Sequence, residues 1–302
     1  MSGIKSQLVW RDMDQAELDA AYDQNVYAPN RLQILERYSC NSATTRLMLG
    51  APQRFRYGKT EIEGLDIYRS TRTKAPIQIF IHGGAWRSGT AAQYAFPAEA
   101  FVRAGAHFVV PDFDWVQDHD GDLRPMVDQV RRAVAWVARH AEKLGGDPDC
   151  IYLSGHSSGA HLAGVALTTD WDRDFGLPSN ILKGALLCSG MYDLKPVRLS
   201  ARSSYVTITD EIEGELSALR HMEAIVAPLI IAYGTLETPE FKRQSKEFAE
   251  ALTARGHSVD LLVAEHCNHF EILETFANPH GLLGRAALAQ MGLGYPGTDH
   301  LI

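Results

Sequence analysis

The sequence predicts an α/β fold: a mostly parallel sheet of eight strands, helices on both faces of the sheet and an N-terminal helical extension. Continuous apolar runs, such as 77–81 and 229–233, are typical of strands buried on both faces of a parallel sheet. Stretches with apolar residues at helical spacing fall between these runs. The expected strands are 54–57, 65–68, 77–81, 107–110, 150–153, 184–188, 229–233 and 259–263.

Helices and domains follow from the same patterns. Apolar residues that step by three and four predict a helix over 123–140. A second helix is expected to have Thr238 as its N-cap and Pro239 as its first residue. Residues 1–50 form the expected helical extension, with helices over 14–22 and 30–38, and residues 51–302 form the main domain. Alternation of strands and helices places a ligand site beyond the carboxyl ends of the strands.

Composition excludes several classes of partner. The formal net charge is -8 and no basic run occurs, which argues against binding to nucleic acid. No stretch approaches 18 consecutive apolar residues, so no membrane partner is expected. The four cysteines are scattered and the first six residues lack the apolar core of a signal peptide, which favours a cytoplasmic protein. The expected partner is a small molecule, and the sequence leaves a homodimer open.

A Gly-x-Ser-x-Gly pentapeptide at 155–159 is the strongest chemical motif. It follows an expected strand and precedes a stretch of helical character, which is the order of a nucleophile elbow. In such a turn Ser157 stands above the sheet as the candidate nucleophile. The two glycines of the motif are needed in such a turn, because a side chain at either position would collide with a neighbouring strand or helix. The alternative is an ordinary glycine-rich turn without chemistry.

The run His-Gly-Gly-Ala-Trp at 82–86 supplies candidate oxyanion donors. It directly follows the expected strand 77–81. Its consecutive glycines leave backbone N–H groups free to turn inward, as in the His-Gly-Gly motif of lipases and esterases. We therefore predict an oxyanion hole formed by the N–H groups of Gly83, Gly84 and Ser158.

The general base and its acid partner are expected after later strands. Glu237 follows strand 229–233 and is the candidate acid, with Asp193 as its rival. His269 follows the last strand and is the candidate base, with His266 as its rival. The order Ser, acid, His matches neither chymotrypsin nor subtilisin but fits an α/β-hydrolase. The His-x-x-His spacing raises metal binding, but no carboxylate or cysteine cluster completes a site, so neither a metal nor a cofactor is expected.

Five further residues are assigned to substrate binding. Three neighbour the oxyanion loop or the nucleophile in sequence, and two are tyrosines of the N-terminal extension. For the tyrosines, packing of the extension onto the main domain is the favoured alternative. These residues are Ala85, Trp86, His156, Tyr22 and Tyr27.

Several motifs together resemble the arylformamidase (kynurenine formamidase) branch of the α/β-hydrolases, which borders the hormone-sensitive-lipase-like esterases. They are 82–86, 155–163, 189–194, and Pro-Glu-Phe at 239–241 with His-Phe at 269–270. The resemblance covers residues 55–290 and implies a serine-dependent hydrolase of N-formyl aromatic amines such as N-formylkynurenine. Two departures occur: the family usually has Asp where this chain offers Glu237, and Ala85 replaces a bulkier residue of the oxyanion loop.

Three functions compete on this fold. The leading hypothesis is an amidase or formamidase that works through an acyl-enzyme with a Ser-His-Glu triad. A carboxylesterase acting on short-acyl or aryl esters shares every catalytic residue and differs only in pocket shape and leaving group. A ligand receptor without catalysis is the hypothesis from another class. The presence of Ser157, Glu237 and His269 together argues against it, because such receptors have lost a triad member.

Overall fold

A single eight-stranded sheet forms the centre of the computed structural model, which describes residues 7–294. Its spatial order is β1-β2-β4-β3-β5-β6-β7-β8. β2 pairs antiparallel with both β1 and β4, and all other pairs are parallel. The strands are β1 (Gln53–Arg56), β2 (Gly64–Tyr68), β3 (Ala75–Ile81), β4 (His107–Pro111), β5 (Gly146–His156), β6 (Leu182–Cys188), β7 (Leu229–Gly234) and β8 (Val259–Ala264).

Helices cover both faces of the sheet. Those in residues 7–294 are α1 (Gln15–Ala20), α2 (Gln24–Tyr27), α3 (Arg31–Leu49), α4 (Ala98–Arg103), α5 (Arg124–His140), α6 (Ser158–Leu167), α7 (Trp171–Phe175), α8 (Lys195–Leu199), α9 (Asp210–Leu216), α10 (Pro239–Ala254), α11 (Glu271–Glu274) and α12 (Leu282–Gln290). Short 3₁₀ segments occur at Val116–His119, Glu142–Leu144, Ala201–Ser204, Ala218–Arg220, Met222–Ala224 and Thr275–Ala277. The eight expected strands and the helix expected over 123–140 are all present, with ends shifted by a few residues.

Two apolar cores lie on opposite faces of the sheet. Successive side chains of β3 alternate between them, because strand side chains point to opposite faces: Ile79 belongs to one core and Phe80 to the other. The first core contains α5, α6 and α10, and the second contains α3, α4, α11 and α12. β1 is the outer strand at one edge, and β2 lies inside it because it also pairs with β4.

The helix expected over 30–38 is longer than predicted. α3 continues through the polar run at 39–42 and ends at Leu49. The polar residues do not end it because one of them, Ser42, binds the loop that precedes α4. The hydroxyl of Ser42 donates to the carbonyl of Gln93 at 2.8 Å and accepts from the backbone N–H of Phe96 at 3.0 Å. Thr45 lies one turn later on the same buried side of the helix.

The N-terminal helices share the two cores. Leu18 of α1 and Tyr22 belong to the first core, and Ile34 and Tyr38 of α3 belong to the second. Asp14 begins α1 with a capping box, as its place at the expected helix start suggested. Residues 1–6 and 295–302 of the two expected domains lie outside the described residues. Within 7–294, no helix combines the length and the apolar character that a membrane crossing requires.

Candidate active site

The pentapeptide forms a sharp turn between β5 and α6. Ser157 has φ 58° and ψ -124°, a backbone conformation that L residues rarely adopt. A Cβ on Gly155 would lie 2.4 Å from the carbonyl oxygen of Gly159. A Cβ on Gly159 would lie 2.1 Å from the carbonyl oxygen of Ile81. The glycines therefore allow the close approach of α6 to β3 and β5, as their spacing predicted.

Three side chains predicted as a triad form one hydrogen-bonded chain. Ser157 Oγ lies 2.8 Å from His269 Nε2, and His269 Nδ1 lies 2.8 Å from Glu237 Oε2. A carboxylate only accepts hydrogen bonds, so Nδ1 carries the proton and Nε2 presents its lone pair to the serine hydroxyl. In this arrangement the imidazole can take the hydroxyl proton as the oxygen attacks a carbonyl.

The carboxylate of Glu237 is fully buried and fixed from both sides. Its Oε1 accepts the backbone N–H of Gly234 at 2.6 Å and the hydroxyl of Ser189 at 2.6 Å. Such donors compensate the loss of water around a buried charge. Ser189 was not predicted as a site residue, although it begins the motif at 189–194. It follows β6 and accordingly lies at the same edge of the sheet.

The glycine loop after β3 lies directly beside the serine. Gly83 packs against the nucleophile so closely that a Cβ there would lie 3.2 Å from Ser157 Cβ. Gly84 has φ +126°, which favours glycine. Within the described chain, the N–H groups of Gly83, Gly84 and Ser158 donate to no protein acceptor. They are therefore free to bind an oxyanion that forms at the serine.

The rival residues lie elsewhere. Asp193 accepts the backbone N–H of Lys195 at 3.1 Å and lies 3.9 Å from a nitrogen of Arg220. It thus serves local structure and does not contact His269. His266 is exposed, and only its backbone N–H is engaged, with the Thr235 hydroxyl. Within residues 7–294, no three or more His, Cys, Asp or Glu side chains lie together in a way that could hold a metal ion.

Comparison with known proteins gives the family. Kynurenine formamidase of Danio rerio is 30% identical to the chain, over 94% of this chain and 98% of the relative. The chain belongs to the kynurenine formamidase family. The BD-FAE family model matches residues 65–184. Esterase LipC of Mycobacterium tuberculosis is 26% identical over 70% of this chain and 60% of that protein.

A solved structure from Silicibacter sp. TM1040 has the same fold. It superposes with a TM-score of 0.78, at 21% identity, and covers 88% of this chain and 97% of that one. The expected α/β-hydrolase fold is confirmed by this likeness and by the sheet order. As a member of the kynurenine formamidase family, the chain is a hydrolase that acts on amide or ester bonds.

Ser157 lies on the wall of a cavity of about 680 Å³. Ala85, His156 and Tyr22, three of the residues assigned to substrate binding from the sequence, lie on its wall. Nε2–H of His156 donates to the carbonyl of His269 at 2.8 Å. Burial and the neighbouring His269 hold the pKa of His156 well below its usual range, so this imidazole is neutral.

Two predicted pocket residues lie elsewhere. Trp86 is buried in the core because its indole N–H turns inward and donates to His161 Nδ1 at 3.1 Å. Tyr27 lines a neighbouring cavity, together with Arg11 and Arg243. Neither side chain is on the wall of the cavity that contains Ser157.

Helix α3 holds the loop that carries the histidine. Asn30 donates to the Glu271 carboxylate at 2.7 Å and accepts from the Asn268 amide at 2.9 Å. The Tyr38 hydroxyl donates to the carbonyl of Phe270. These contacts flank His269 on both sides in sequence. Sequence patterns could not reveal them, because the partners are more than 200 residues apart.

Proposed function

We propose that this protein is a serine hydrolase of N-formyl aryl amines, with N-formylkynurenine as the model substrate. The single observation that carries the proposal is the hydrogen-bonded chain from Ser157 through His269 to Glu237, which opens into one cavity. The relationship to kynurenine formamidases, which spans nearly the whole chain, supports the formamide as the bond that is cleaved. Aromatic rings on the cavity wall, those of Tyr94 and Phe270 among them, suit an aryl substrate.

The proposed reaction has two steps. His269 takes the proton of Ser157 as its oxygen attacks the formyl carbon, and the amides of Gly83, Gly84 and Ser158 stabilise the oxyanion. The imidazolium, held by the buried carboxylate, then protonates the departing aryl amine as the C–N bond breaks. Water, deprotonated by the same imidazole, attacks the formyl-enzyme; the imidazolium then returns the proton to Ser157 Oγ as the ester bond breaks and formate leaves.

A matched pair of histidine variants tests the proposal. His269→Asn is expected to lower kcat for N-formylkynurenine by about 10⁴-fold, since it removes the base of the triad. His266→Asn changes the exposed histidine three positions earlier and is expected to retain activity, because its imidazole contacts no site residue. Equal activities of the two variants would contradict the role of His269. An aryl phosphonate is expected to label the wild-type protein covalently and not to label Ser157→Ala. A receptor without catalysis on this fold would not be labelled.

The alternative is a carboxylesterase, and the relationship to esterase LipC favours it as the second candidate. Esters and formamides use the same residues and differ in the leaving group. A panel of N-formylkynurenine, formanilide and p-nitrophenyl esters of increasing acyl length decides between them. A kcat/KM for every formamide far below that for short esters would replace the formamidase proposal by the esterase.

We further propose a cytoplasmic location. The four cysteines, Cys40, Cys150, Cys188 and Cys267, are free thiols in this structure, which suits a reducing compartment. Cell fractionation followed by immunoblotting tests this assignment.

A further inference from the structure

The wall of the serine cavity carries an excess of cations that have no acidic partner. Arg31, Arg87 and Arg202 line it, and among the described residues none of the three pairs with a carboxylate. Two acids, Asp19 and Asp23, also line the cavity. Each of these carboxylates accepts a backbone N–H within the fold, at 2.6 Å and 2.9 Å respectively. A protein with net charge -8 thus presents unpaired guanidinium groups at its reaction site.

Two hydrogen bonds fix the guanidinium of Arg202. One terminal nitrogen donates to the Tyr205 hydroxyl at 3.0 Å, and the other donates to the carbonyl of Tyr22 at 3.2 Å. Its Nε is buried and has no hydrogen-bond partner. A guanidinium has five N–H groups, so three remain to bind a ligand. A buried N–H without an acceptor costs free energy, which an anion in the cavity would recover.

The guanidinium also lies close to the catalytic histidine. Its carbon is 5.7 Å from the ring centroid of Phe241, and that centroid is 4.7 Å from the centroid of the His269 ring. The distance between Arg202 and the imidazole therefore cannot exceed the sum of these two values. Arg202, Ser157 and His269 also line the same cavity, so a single small substrate can reach both the cation and the nucleophile.

We propose that Arg202 binds a carboxylate of the substrate and makes the enzyme selective for aryl formamides that carry this carboxylate over those that lack it. The inference rests on the proposed formamidase function, whose model substrate carries a carboxylate on the side chain of its aryl ring. A guanidinium fork matches the two oxygens of a carboxylate, and the tyrosine contacts hold the fork in place. Arg202 is thus a specificity-determining residue rather than a participant in the proton transfers.

The test compares two substrates that differ at one group, which is a carboxylate in the first and an uncharged carboxamide in the second. N-formylkynurenine and its α-carboxamide are hydrolysed by the wild-type protein and by Arg202→Gln, and kcat/KM is measured for each. In the Arg202→Gln variant, kcat/KM for the carboxylate substrate divided by kcat/KM for the carboxamide is expected to fall by about tenfold to 100-fold. The change is expected mainly in KM, since a charge-assisted contact is lost. Arg202→Lys keeps the charge but lacks the planar fork, so its ratio is expected to lie between those of the wild-type protein and Arg202→Gln. The control is Arg255→Gln, at the exposed C-terminus of α10.

A loss of the same factor on both substrates would overturn the inference, because a merely structural role affects both alike. A second measurement does not depend on formamide cleavage. Kynurenine and its carboxamide are used as competitive inhibitors of p-nitrophenyl acetate hydrolysis. Arg202→Gln is expected to raise the Ki of kynurenine at least about tenfold more than that of the carboxamide. If no formamide is cleaved but this difference is found, the formamidase proposal fails while Arg202 keeps its role; equal changes in both Ki values refute the role of Arg202.

Discussion

Replacement of Glu237 by glutamine has an outcome that the hydrogen bonds around the carboxylate determine. Oε1 accepts the backbone N–H of Gly234, a group that can only donate. The glutamine must therefore place its carbonyl oxygen at the Oε1 position and its NH₂ group at the Oε2 position. That NH₂ group then faces Nδ1 of His269, 2.8 Å away in the wild-type protein. Ser189 can adapt to either orientation, because its hydroxyl both donates and accepts.

The imidazole responds by changing its tautomer. Nδ1 accepts from the new amide and Nε2 carries the proton, so no lone pair faces Ser157 and the base function is lost. The corresponding tautomer trap in a serine protease lowers kcat by about 10⁴-fold. We expect a loss of similar size from Glu237→Gln, equivalent to about 5.4 kcal/mol in the activation free energy.

The assay is kcat for N-formylkynurenine or, if esters prove better, for p-nitrophenyl acetate. Glu240→Gln is the matched control: this glutamate is 1% exposed, lies three residues later and binds Arg243 rather than the histidine. It is expected to retain most of the activity. Thermal unfolding of both variants checks that each is folded. A folded Glu237→Gln protein with kcat within tenfold of wild type would refute the tautomer argument.

Two stability predictions follow from close contacts outside the proton relay. Gly159→Ala places a Cβ 2.1 Å from the carbonyl oxygen of Ile81 and is expected to cost at least about 3 kcal/mol in urea unfolding; Gly164→Ala in the same helix, where the nearest atom is 3.5 Å away, should cost little. Burial alone would raise the pKa of Glu63, but hydrogen bonds from backbone N–H groups and Arg132 lower it to about 2. The carboxylate therefore stabilises the fold above its unfolded pKa of 4.5, and this contribution is lost as the pH falls towards 2. Arg132→Met is expected to cost about 1–3 kcal/mol at neutral pH, and a deficit that does not shrink between pH 4.5 and 2 would contradict this assignment.

The sheet was predictable because its strands are continuous apolar runs. The strands are connected so that the pentapeptide and the glycine loop follow their carboxyl ends. The same connection predicted that Ser157, Glu237 and His269 lie at one edge of the sheet, where the structure has them. Such signals are local in sequence, and each has a physical reason in backbone geometry or burial. Element ends were less predictable: polar Ser42 suggested the end of a helix that tertiary hydrogen bonds in fact carry onward.

What the sequence could not provide was the environment of each side chain. Trp86 follows the oxyanion glycines directly, yet its indole turns into the core. Ser189 begins the motif at 189–194, but the motif does not show that its hydroxyl binds Glu237, and Arg202 carries no local pattern that distinguishes it from other polar residues. Their partners, Glu237 and Tyr22, are 48 and 180 residues away. Only the folded chain shows such pairs.

The grip of α3 on the loop around His269 has a consequence for synthesis. Asn30 leaves the ribosome long before its partners Asn268 and Glu271 are translated. The loop that carries the imidazole can therefore be held in place only after residues 268–271 have been made and have folded against Asn30. We expect the hydrogen-bonded chain from Ser157 to Glu237 to be completed after this contact forms.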